Sequence, residues 1–108
     1  MILTVEIDDK SYPLDVPEAL CREAVDFFEK MDADMNCGWQ MSRWWVPDPD
    51  QTQRCQIVAD KLLTAMQQEN DEFALLMVAY ILHHKPGTRR IRINTAGEIQ
   101  GNEFYDHD

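Results

Sequence analysis

Apolar and polar residues alternate from Ile2 to Val16, with Leu3, Val5 and Ile7 on one beat and Tyr12, Leu14 and Val16 resuming it after Asp8-Asp9-Lys10-Ser11. A period of two is that of a strand with one buried face, so the segment predicts a β-hairpin. A turn at Asp9-Lys10 sets Ile7 opposite Tyr12, Val5 opposite Leu14 and Leu3 opposite Val16, all six on the buried side. Pro13 has no N–H to give a ladder, which places the second strand at the sheet edge.

The period changes near Pro17. Leu20, Ala24, Phe27, Phe28, Met31 and Met35 recur at helical spacing and predict a first helix over roughly 18–33, with Glu18/Arg22 and Asp26/Lys30 paired on its wet side. Asp48-Pro49 reads as an N-cap followed by proline at the first helical position, and Cys55, Val58, Ala59, Leu62, Leu63 and Met66 give a second helix over about 49–69. A third helix starts at Asn70 or Asp71 and is apolar all round from Phe73 to Leu82, which requires cover on most sides. His83, His84 and Lys85 suit its negative end, and Pro86-Gly87 stops it.

Arg89 to Asn94 alternates again, with Ile91 and Ile93 inward, so a third strand joins the sheet at the open edge of strand one, bringing Arg90 and Arg92 near Glu6. The chain folds back briefly through Ile99, and residues 101–108 are expected to fray. The outline is β-β-α-α-α-β, an α+β fold with the helices on one face of a small sheet, in a single domain spanning 1–108.

Charge narrows the partners. Twenty acids against ten Lys and Arg leave −10, and residues 1–34 alone hold ten acids and three bases. Such a field repels phosphate backbones, so nucleic acid is not an expected partner. Cys21, Cys37 and Cys55 form no C-x-x-C pair and read as reduced thiols of a cytoplasmic protein. The N-terminal apolar run is broken by Glu6, Asp8 and Asp9, and the run Phe73–Leu82 is far shorter than the ~20 residues of a membrane span.

Few residues announce chemistry. Asp32-Ala33-Asp34-Met35-Asn36 resembles the opening of a calcium loop, but Cys37 stands where the turn glycine belongs and Arg43 where the closing carboxylate belongs. Adjacent His83 and His84 point about 100° apart on a helix and do not grip one metal as an i,i+4 pair does. No nucleophile elbow, phosphate loop or dinucleotide fingerprint is present, so neither catalytic residues nor a cofactor are assigned. Arg89, Arg90 and Arg92 form a weak candidate anion site, set against neutralisation by nearby acids.

The remaining clue is Met35–Pro47, which holds all three tryptophans outside every long apolar stripe. If Gly38–Val46 turns helically, Trp39/Arg43 and Met41/Trp45 lie at i,i+4; on one reading Trp39 or Trp45 caps the core with Met41, and on the other at least one indole stays on the surface beside Arg43. Tryptophan and arginine dominate the energetic centres of protein interfaces, which makes Trp39, Arg43, Trp44 and Trp45 the expected partner-binding residues. The expectation is a non-catalytic interaction protein with a basic partner, or a homodimer covering the apolar third helix; the alternatives are a small-ligand or metal-binding domain and, third, a minor enzyme.

Overall fold

The computed structural model describes residues 1–107. Its first elements are β1 (Ile2–Ile7) and β2 (Lys10–Asp15), an antiparallel hairpin closed at Asp8-Asp9, one residue earlier than the sequence suggests. Asp8 takes φ 57°, a left-handed conformation that aspartate tolerates better than most residues and that a two-residue turn needs. Leu3 therefore faces Leu14 and Val5 faces Tyr12. The pairing slips by two residues, an even number, so every side chain keeps its expected face. Pro13 lies opposite Thr4, three pairs from the closing pair and so at a non-hydrogen-bonded position whose nitrogen turns outward, and β2 is an edge strand.

The expected first helix is two: α1 (Glu18–Glu23) and α2 (Val25–Asn36), separated at Ala24 with φ −95° and ψ 14°. The Phe28 N–H still donates to Ala24 O at 3.0 Å, so the break bends the chain without freeing it. Phe28 and Met35 are buried, whereas Phe27 lies off the inner stripe and is exposed.

Next comes a second hairpin, β3 (Trp39–Met41) and β4 (Trp44–Val46), in place of a helical turn over Gly38–Val46. Gly38 at φ 98° enters it and Ser42 at φ 59° turns it. Two left-handed residues four positions apart are incompatible with helix and fit a tight β-turn.

The cap of α3 (Gln51–Gln67) is Asp50, not Asp48: its side chain accepts from Gln53 N at 2.8 Å while Gln53 Oε1 accepts from Asp50 N at 2.9 Å. Asn70 caps α4 (Asp71–His84) by accepting from Phe73 N at 3.2 Å. α3 packs chiefly against α4, and Ala74 and Met77–Leu82 are buried, so the all-round apolar helix is covered within the chain itself.

Strand β5 (Arg90–Ile93) adds to β1 in parallel, and β6 (Glu103–Tyr105) adds antiparallel to β5, giving the order β2-β1-β5-β6. Residues 101–105 are thus ordered rather than frayed. Buried Asn102 explains it: its Oδ1 accepts from Asn94 N at 2.7 Å and its Nδ2 donates to Gln56 O at 2.9 Å, fastening the C-terminal segment to α3. Leu3, Val5, Ile91 and Ile93 face the helices. On the wet face Glu6 receives Arg90 at 2.6 Å and Arg92 at 3.2 Å, the cross-strand pairing expected from the alternation. The protein is α+β, with helices on one face of the sheet.

Candidate functional site

The second hairpin displays its tryptophans unequally. Trp39 is half-buried against the core, with Lys61 Nζ 4.9 Å from its ring centre, and Met41 is fully buried. Trp44 is 65% and Trp45 60% exposed, and Arg43 at the turn is exposed as well. Trp44 is paired with Met41, whereas Trp45 is paired with Gln40, so the two indoles project from opposite faces of one narrow ribbon.

The ribbon is held at both ends. At its tip, Ser42 Oγ donates to Gly97 O at 2.6 Å and accepts from Ile99 N at 2.8 Å, tying the turn to the loop after β5. At its base, a Cβ on Gly38 would lie 2.9 Å from Trp45 Cε2, and closer still to Cζ2, so the indole rests directly on the glycine backbone. The exposed indoles stand on a fixed platform.

Of the candidate anion residues, Arg90 and Arg92 are both engaged with Glu6 and lie over Tyr105, at 4.3 Å and 5.9 Å from its ring centre. Hydrogen bonds from Arg90, then from Arg92, hold the Glu6 carboxyl below its ordinary range against the opposing effect of burial. Arg89 is exposed, just before β5.

A second constellation was not recognised from the sequence. Asp32 on α2, Arg54 and Gln51 on α3, and Tyr80 and His84 on α4 line a cavity of about 290 Å³ where three helices meet. The Tyr80 hydroxyl donates to Asp32 Oδ1, Arg54 Nη1 lies 3.4 Å from the same oxygen, and His84 Nε2 lies 3.3 Å from Oδ2. Arg54 also donates to Asp32 O at 3.1 Å, Asn36 Oδ1 at 2.7 Å and Pro49 O at 2.8 Å, joining the end of α2 to the start of α3. His84 Nε2 is buried and, despite its distance from Asp32, off the direction of a hydrogen bond. Burial lowers the His84 pKa, and Asp32 opposes that shift. Burial first, then the bond to Asp32, pushes the Tyr80 phenol up.

The structure separates the two histidines. His83 is exposed, its ring centre 5.4 Å from that of Phe28, while His84 turns into the cavity. The Asp32–Asn36 stretch is helical within α2, so no calcium loop forms there. Among the described residues no three His, Cys, Asp or Glu side chains converge as a metal centre requires. The cysteines are free; Cys37 is exposed, and Cys55 is buried beside the cluster with its thiol pushed up to about 12 by burial. Among the described residues, no helix is long and apolar enough to cross a membrane. No family model, curated protein or solved structure matches this chain.

Proposed function

We propose that this chain is a small acidic accessory protein of the cytoplasm, without catalysis of its own, that docks on a partner protein through Arg43, Trp44 and Trp45, with half-buried Trp39 as the root of the surface. The observation that carries this reading is the pair of adjacent indoles, 65% and 60% exposed, on a ribbon pinned by Ser42 and Gly38. Exposed tryptophan surrenders apolar burial, and a rigid aromatic pair loses little freedom on binding. An indole on each face makes the ribbon a wedge suited to an apolar cleft. The net charge of −10 favours a cleft with a basic rim and opposes pairing with a second copy, so a basic protein is a better occupant than a homodimer. Three free cysteines accord with a reducing compartment.

Affinity capture from the native cell, run side by side with wild-type protein and the Trp44→Ala/Trp45→Ala double variant, tests the proposal. A basic protein recovered by the first and lost with the second, at unchanged melting temperature, supports it. Equal recovery by both rejects it.

A small-ligand site at Asp32, Arg54, Tyr80 and His84 is the second reading, favoured by a polar cavity in which buried His84 Nε2 stands 3.3 Å from Asp32 Oδ2 without a hydrogen bond. A ligand there raises the melting temperature by mass action in the double tryptophan variant as much as in the wild type.

A further inference from the structure

We propose a second docking surface, remote in sequence from the tryptophan ribbon: the groove between edge strand β2 and helices α3 and α4, which takes an amphipathic helix flanked by lysine or arginine from a partner protein. The groove encloses about 640 Å³, within the range of binding clefts, and Ile7, Tyr12, Leu14, Leu63, Met66 and Leu75 form its apolar lining. Tyr12 shares the inward face with Val5, yet remains 37% exposed. The inner face of β2 is therefore only partly covered by the chain's own helices.

Charge selects the occupant. Among the described residues, Asp15 and Asp71 are the only charged ones in the lining. The segments that bound the groove, 7–15 and 63–75, carry Asp8, Asp9, Asp15, Glu69, Asp71 and Glu72 against a single base, Lys10. Asp15 also holds the Met1 amino group at 3.2 Å, which leaves Asp71 the freer carboxylate. An apolar trough with an acidic rim repels fatty-acid carboxylates, anionic lipid surfaces and further copies of this acidic chain, and attracts an apolar stripe bordered by cations.

Backbone geometry then separates helix from strand. An added strand needs donors along the free edge of β2, but the outward position at its middle is Pro13, which has none. A helix docks through side chains alone, placing i, i+3, i+4 and i+7 residues in the trough without calling on that edge.

The test is a methyl and amide NMR titration with a synthetic peptide about 16 residues long, some 24 Å of helix, bearing leucine at i, i+3, i+4 and i+7 and lysine on its flanks. We expect saturable shifts at Leu14, Leu63, Met66 and Leu75, and Asp71→Lys or Tyr12→Lys weakening binding at least ~5-fold. A peptide with glutamate in place of lysine should bind at least ~10-fold more weakly, and Trp44→Ala/Trp45→Ala should bind like wild type. The proposal is overturned by any of four results: no shifts at these methyls at millimolar peptide, equal binding of the glutamate peptide, equal binding by the Asp71→Lys and Tyr12→Lys variants, or self-association that occupies the groove.

Discussion

The carboxylate of Asp32 on α2 stands 3.3 Å from Nε2 of His84 on α4, yet burial outweighs this attraction and lowers the pKa of the imidazole from 6.5. The folded state therefore binds protons at His84 less readily than the unfolded chain does. Its neutral form costs nothing above pH 6.5; as pH falls below 6.5 toward the folded pKa, the unfolded chain takes up protons first and stability declines. Asp32→Asn removes the attraction that opposes the shift, so an NMR titration should find His84 at a still lower pKa than in wild type. A higher pKa in that variant contradicts this assignment.

Tyr80→Phe removes the hydroxyl that Asp32 Oδ1 receives while leaving Arg54 in place beside it. The loss of a hydrogen bond to a charged acceptor predicts destabilisation of about 1.5–3 kcal/mol by denaturant unfolding. A change below ~0.5 kcal/mol would show that the hydroxyl is as well satisfied by water.

Gly38→Ala meets two obstacles at once, a φ of 98° and the Trp45 indole where the methyl would sit. The backbone cost is on the order of 1–2 kcal/mol, and the displaced indole should change the emission of Trp45 in a protein whose other tryptophans are phenylalanine. Gly38→Ala in a Trp45→Ala background should relieve the clash but retain the backbone cost.

Thiol reactivity should follow exposure. A maleimide or disulfide reagent modifies exposed Cys37 first and half-buried Cys21 next, whereas Cys55, buried and pushed up to about 12, reacts only when the protein unfolds. Labelling of Cys55 at the Cys37 rate in the native protein is the contrary result.

The parts of this fold that the sequence announces are those with a long period. Six residues on one beat set the faces of the first hairpin, and the apolar stripes located α3 and α4, because repeated burial on one side leaves a repeated pattern. The register escaped because Asp8-Asp9 and Asp9-Lys10 are both plausible turns, and they differ by an even slip that the pattern cannot register. The ribbon Trp39–Val46 escaped because strands of three residues contain barely one period. The break at Ala24 carries neither glycine nor proline, and β6 is held by Asn102, whose partners Asn94 and Gln56 lie on other elements.

The site was legible to a different degree. Two residue types, tryptophan and arginine, drew attention to Trp39, Arg43, Trp44 and Trp45; the structure leaves two of the indoles on the surface, on a hairpin rather than a helix. The Asp32–Arg54–Tyr80–His84 cluster draws on three helices, with Asp32 and Tyr80 separated by 48 positions, so no local spacing reveals it. One signal was present: Tyr80 lies within an otherwise apolar helix, and a buried phenol requires a polar partner.

Photocrosslinking from position 45 probes the tryptophan ribbon as a docking surface, with Trp45 replaced by a benzophenone amino acid and irradiation carried out in the native cell. The docking proposal predicts one dominant adduct with a basic protein, lost when Arg43→Ala or Trp44→Ala is added. Irradiation that yields no discrete adduct, or an adduct indifferent to both changes, would contradict it.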